Sequence, residues 1–206
     1  LGNFKLEGTW TSDKHPIVQV AFRQRIVGIY GIDYYLNFVL PFLAKRYGFK
    51  NYIAVAHSLA CPCIIRTEMK HYRSKTFPHL KKCAFIAGPF DGVTYLGDIP
   101  NVNYLTESGR PSVMNPHYLY LFFNRRKFNP DISVLNIYGN VLDNTNTDKF
   151  ISVVSAKSIR YILAPKAHFY QEVEVRGKND AEHSWMHDNP FVIDIIDKFL
   201  KLKKVV

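Results

Sequence analysis

The stretch Asn51-Tyr-Ile-Ala-Val-Ala-His-Ser-Leu-Ala-Cys-Pro-Cys-Ile-Ile65 constrains the fold more than any other part of the chain. Ile53 to Ala56 is a short apolar run of the length of a buried parallel strand. His57 and Ser58 follow at once between the small residues Ala56 and Ala60, and Ile64, Ile65 and Met69 then recur at helical spacing. The order is strand, sharp turn with a central serine, helix. Such a turn lifts the serine hydroxyl out of the top of a sheet, and small neighbours two residues to either side let strand and helix pass closely; the usual form is Gly-x-Ser-x-Gly. Alanines replace both glycines here. The same pattern also describes a serine that only caps a helix, so the turn becomes informative through its partners.

The chain on either side alternates strand-like and helix-like stretches. Residues 4–10 alternate polar and apolar, as in one arm of a hairpin. Residues 16–22, Pro-Ile-Val-Gln-Val-Ala-Phe, read as a strand. Tyr35, Leu36, Val39, Leu40, Leu43 and Tyr47 define a helix over residues 32–47, with Pro41 as an expected kink and Gly48 as its stop. The helix after the turn is expected to run to about His71, with Pro62 in its first turn, where a missing N–H costs little. Strands follow at 83–87 and 132–138, a helix at 153–163 and an alternating strand at 169–176. Asn189-Pro190 opens a last helix with the stripe Val192, Ile195, Ile196, Phe199 and Leu200. This alternation predicts an α/β fold with a mostly parallel sheet and helices on both faces. Residues 93–130 are long and irregular, with the aromatic residues Tyr118, Tyr120, Phe122 and Phe123. They read as a cap or lid insertion, since loops of this length in a compact domain are commonly functional.

Bulk properties narrow the classes. A chain of 206 residues with 47% hydrophobic content is one domain, residues 1–206, with room for a real core. No apolar run approaches the roughly 20 residues of a membrane span. The net charge of +10 is scattered, and no nucleic-acid-binding motif accompanies it. Cys61, Cys63 and Cys83 have neither disulfide nor metal spacing and read as small buried hydrophobes.

Functional residues of such sheets gather at the carboxyl ends of the strands, and Ser58, Asp148 and His183 each follow an expected strand. A serine hydroxyl needs an imidazole to take its proton and a carboxylate to hold the imidazole. The chain order Ser, acid, His is that of the α/β-hydrolases. His187 is the second candidate for the base. Asp143 is the second candidate for the acid, though it could equally cap its own turn. The Leu59 N–H is the candidate oxyanion donor. His57 is expected to pack only.

Several stretches together resemble a family. They are the segment at 16–22, Ala-His-Ser-Leu-Ala60, Gly88-Pro-Phe-Asp-Gly92, Leu-Asn-Ile-Tyr-Gly139 with Asn146-Thr-Asp148, Val-Ser-Ala-Lys-Ser158 and Ala181-Glu-His-Ser-Trp-Met-His-Asp-Asn189. From Pro16 to Leu200 the chain resembles uncharacterised α/β-hydrolases of Gram-positive bacteria often called cell-surface hydrolases. The resemblance implies Ser58 as nucleophile, His183 as base, an aspartate of the 143–148 loop as acid, no metal and no organic cofactor, and an extracellular or cell-surface place. The expected activity is that of a serine esterase on a small apolar ester; the rival expectation is a hydrolase-fold protein that binds without turnover. The family elbow is Gly-His-Ser-Met-Gly-Gly, and its upstream strand ending in His-Gly has no counterpart here. The expectation is therefore a domain lacking its first strands, with a gap between the 17–22 and 53–56 strands, one oxyanion donor missing and weak turnover.

Overall fold

The computed structural model describes residues 5–22 and 28–201. Its frame is a four-stranded sheet of β1 (Asn51–His57), β2 (His79–Ile86), β5 (Ser133–Asn140) and β6 (Phe169–Arg176), in the order β1-β2-β5-β6. Every pairing in it is parallel. Two two-residue strands, β3 (Val93–Thr94) and β4 (Gly97–Asp98), pair separately. The helices are α1 (Ile29–Tyr47), α2 (Ala60–Lys70), α3 (Pro116–Asn124), α4 (Val153–Leu163) and α5 (Pro190–Lys201), with a short 3-10 turn at Arg125–Lys127.

Parallel strands need helical crossovers, and the crossovers cover both faces of the sheet. Cys83, Phe85 and Val134 point to one face, where they share a core with Leu36 of α1, Ile65 and Met69 of α2, Tyr118 of α3 and Ile159 of α4. Ala84, Ile86, Leu135 and Ile137 point to the other and pack on Val192, Ile196 and Phe199 of α5. The expected stripe of α5 is thus its buried face, with Ile195 and Leu200 at its margin. β5 lies inside the sheet and all eight of its residues are buried, as a strand covered on both faces requires.

Local signals set the element ends. Gly48 closes α1 at φ +71° and its N–H donates to the Ala44 carbonyl, a conformation that costs glycine little. The helix runs through Pro41 without interruption. Asn115 caps α3 by accepting from the N–H groups of His117 and Tyr118, with Pro116 at the first helical position. Ser152 caps α4 through the N–H of Ser155. All three cysteines are free and buried.

The strands expected at 4–10 and 16–22 are not found among the described residues. Residues 16–22 form no strand: they join neither sheet among the described residues, and Ile17 is 96% exposed. Of the supposed hairpin arm, Phe4 lies outside the described residues and residues 5–10 form no strand. An apolar alternation specifies a strand only when another strand supplies hydrogen bonds and a face to bury. Among the described residues β1 is therefore the edge of the sheet, and no gap opens inside it. The aromatic segment is also more regular than expected, because Tyr118, Tyr120, Phe122 and Phe123 lie on α3.

Candidate active site

Three loops converge at the carboxyl edge of the sheet, one each after β1, β5 and β6. The first is the turn at Ser58. β1 hands directly to α2, so the chain must reverse within two residues, and Ser58 takes φ +56°. For a residue with a Cβ this left-handed conformation costs of order 1–3 kcal/mol, and strain of this kind concentrates at functional positions. Surrounding bonds hold it: the Ser58 N–H donates to the Ile86 carbonyl at 2.9 Å and its carbonyl accepts from the Cys61 N–H at 3.0 Å. The Cys61 thiol, fully buried, donates to the Ala56 and Ile86 carbonyls. Burial pushes that thiol well above its ordinary range, so it acts as a polar filler of the elbow. Leu59 stands at the amino end of α2, where the first N–H groups of a helix have no acceptor within the helix.

The loop after β5 carries Asp148, which is 1% exposed. Its Oδ1 accepts from the N–H groups of Phe150 at 2.9 Å and Ile151 at 2.7 Å. Its Oδ2 lies 2.8 Å from Nδ1 of His183. A carboxylate clamped through one oxygen and presenting the other has one direction left to point. Lys149, at φ +84°, makes the reversal that brings the two N–H groups round. The other acid of the loop, Asp143, takes no part: its Oδ1 accepts from the Thr145 hydroxyl and N–H, and these bonds hold its carboxyl below the usual range.

The loop after β6 carries His183, buried at 8% exposure. Its Nε2 is 3.1 Å from Ser58 Oγ. Since the Asp148 carboxylate can only accept, the proton belongs on Nδ1, which leaves Nε2 free to accept from the serine hydroxyl. The main chain ties the two loops as well: the His183 N–H donates to the Asp148 carbonyl at 3.0 Å. The Phe150 ring lies 5.3 Å from the imidazole. His187, the alternative base, pairs with Asp188 at 3.4 Å and packs on the His57 ring at 4.8 Å.

Two residues of the site were given no role in the sequence, one unremarked and the other expected only to pack. Gly139, near the end of β5, sits where both loops cross the strand: a Cβ there would strike the Ala181 carbonyl oxygen and come within 3.0 Å of Asp148 Cβ and Met186 Cε. His57 is the other; its Nε2 lies 3.0 Å from the His183 carbonyl oxygen. A glycine at a strand end followed by two converging loops is a signal for the first. Nothing local signals the second.

The expected aromatic wall is differently used. Tyr118 is fully buried in the core and donates its hydroxyl to the Ser158 carbonyl. The Tyr120 ring covers the Arg66 guanidinium at 3.9 Å, Phe122 packs against Tyr161, and Phe123 is exposed. A helix spreads four such residues around its axis, so they cannot form one wall. Among the described residues no group of three or more His, Cys, Asp or Glu is arranged to hold a metal ion, and no helix is long and apolar enough to cross a membrane.

Residues 2–203 match the family described as "Alpha/beta hydrolase of unknown function (DUF915)". Among solved structures, the product of the gene lin2722 from Listeria innocua is similar with a TM-score of 0.82 at 24% identity, over 97% of this chain and 77% of that one. A Lactobacillus plantarum protein provisionally described as a cell surface hydrolase is similar with a TM-score of 0.65 at 20% identity, over 84% of this chain and 62% of that one. No curated protein matches the chain.

Proposed function

Since this chain belongs to the DUF915 family of α/β-hydrolases, we propose that it is a serine hydrolase acting on carboxylic esters through an acyl-enzyme. The observation that carries this reading is the unbroken line from Ser58 Oγ through the His183 imidazole to Asp148, with contacts of 3.1 and 2.8 Å, on a serine held at φ +56°. In the first step Nε2 of His183 takes the hydroxyl proton as Ser58 Oγ bonds to the ester carbonyl carbon. The positive charge that appears on the ring faces the Asp148 carboxylate. The negative charge that appears on the carbonyl oxygen meets the Leu59 N–H at the start of α2, where helix dipole and free donor act together. The C–O bond to the alcohol then breaks and the alcohol leaves with the proton from Nε2. Water, deprotonated by the same nitrogen, then attacks the acyl carbon; the bond from that carbon to Ser58 Oγ breaks, Oγ takes the proton back from Nε2, and the carboxylic acid leaves.

The Phe150 ring beside His183 suits a small apolar acyl or alcohol group at the reacting centre. A place at the cell surface belongs to the same proposal and rests on the description of the Lactobacillus protein.

The test is to treat the protein with a fluorophosphonate and map the adduct, then to follow short p-nitrophenyl esters. Labelling at Ser58 that disappears in Ser58→Ala, together with ester turnover, is expected. Labelling at another residue would sink the assignment. Labelling at Ser58 without turnover of any ester would favour a hydrolase-fold protein that binds and does not turn over.

A further inference from the structure

We infer that His57 is a positioning residue for His183, an inference that rests on the serine-hydrolase reading. A serine-histidine contact works only if the imidazole is held to within a fraction of an ångström. His183 lies on the loop between β6 and α5, and loops are the less rigid places to mount a catalytic group. Four bonds hold it. Two are to its ring, from Ser58 and Asp148. The third runs from its N–H to the Asp148 carbonyl. The fourth is the 3.0 Å contact between its own carbonyl oxygen and Nε2 of His57.

The fourth bond differs in origin. The first three join the loop to Ser58 and to the loop after β5. His57 is the last residue of β1, so its ring ties the loop to the strand that carries the nucleophile. Ser58 and the His183 main chain are thereby referred to the same strand end, one residue apart. A carbonyl oxygen only accepts, so His57 must donate, and Nε2 carries its proton. The same bond removes His57 as a rival base, since the nitrogen that faces the site is already spent.

The surroundings keep this ring neutral. Burial lowers its pKa to about 4, with the neighbouring His183 and His187 imidazoles acting in the same direction and the His183 carbonyl and Asp148 opposing. The rings of His183 and His187 pack on it at 4.7 and 4.8 Å. His183, His187 and Asp148 are the titratable groups that act on it, and Asp197 of α5 lines a groove with it. A neutral donor holds the carbonyl without placing a second positive charge beside the imidazolium that forms during turnover; a lysine or arginine here would do so.

The test compares His57→Ala with His57→Gln, whose amide can donate from a similar reach. His57→Ala should lower kcat on the order of 10²-fold, the cost of a small misplacement at a reacting centre. KM should stay nearly unchanged, since the His57 nitrogen that faces the site is already bonded to the His183 carbonyl. His57→Gln should recover most of the loss. The acid limb of kcat/KM should keep its midpoint in His57→Gln, because a neutral residue replaces a neutral one. An activity-independent reading comes from the low-field proton NMR signal of the His183 Nδ1–H bonded to Asp148, which should be sharp in the parent and in His57→Gln and broadened in His57→Ala. Unchanged kcat in His57→Ala, or equal loss in both variants tracking a fall in Tm, would overturn the role. A parent protein that fails to label at Ser58 would instead refute the hydrolase reading, while the NMR comparison still decides the tether.

Discussion

At the scale of single residues, two aspartates five positions apart on one loop differ in everything that matters. Asp148 is buried, gives one oxygen to two backbone N–H groups and the other to His183. Asp143 is exposed and accepts from the Thr145 hydroxyl and N–H. Asp148→Asn is nearly isosteric, but an amide that donates to Nδ1 favours the tautomer with the proton on Nε2, where it can no longer accept from Ser58. The expected loss in kcat on a p-nitrophenyl ester is about 10⁴-fold. Asp143→Asn changes an exposed turn and should stay within about twofold of the parent, in line with surface substitutions of small effect. Steady-state kinetics on both variants decides the matter, and the reverse ranking would move the acid to Asp143.

Among the elements, the excursion between β2 and β5 depends on one buried carboxyl. Asp91 follows the end of β2 and is 1% exposed. It accepts from the N–H of Asn115, the cap of α3, at 2.8 Å, and from the Asn103 side chain at 3.0 Å. Its own N–H is bonded to Ser155 of α4. Burial pushes its pKa up to about 7, against the lowering effect of those two donors. The sign follows from linkage. An acid with a raised folded pKa holds its proton in the native state while the unfolded chain has lost it, so stability falls with rising pH between about 4, the unfolded value, and about 7. The Tm of the parent minus that of Asp91→Asn, which does not titrate, should therefore fall as pH rises from 5 to 7.5; taking the difference removes the opposite trend set by the lowered pKa of His57. Differential scanning fluorimetry of the two across that range measures it; parallel curves would show that Asp91 is ionised throughout.

For the molecule as a whole, the sheet is uneven from one side to the other. β5 is paired on both edges and buried along its length. Among the described residues β1 is paired on one edge, and Ile53 and Val55, on the face opposite α2, are 40% and 53% exposed. A shallow groove runs there between β1 and α5, lined by Val55, His57, Ile86, His187 and Ile193, with Gln19 of the amino-terminal segment. Parallel sheets rely on cover from both sides, so local opening should start at this edge. Native-state hydrogen exchange should find the amides of β5 the slowest and the outward amides of β1 markedly faster. Uniform protection across the four strands would show that β1 is covered in solution.

Residue patterning alone was enough for the elements whose partners are close in sequence. The stripe of α1, the span of α4, the strand β6 and the Asn189-Pro190 start of α5 were all legible, because caps, stops and periodicity act over a few residues. So were the small-residue turn at Ser58 and the order of serine, acid and histidine along the chain. Tertiary structure decided the rest. Whether residues 16–22 became a strand depended on a neighbour to pair with, which no local pattern supplies, and the structure gives them none. The aromatic residues of α3 faced several ways once a helix carried them, and Tyr118 went to the core. The separation of Asp148 from Asp143, the distance of 3.1 Å between Ser58 and His183, the place of Gly139 under two loops and the bond from His57 all depend on segments far apart in sequence. These are contacts between loops mounted on different strands, and only the packed sheet sets the distances between those strands.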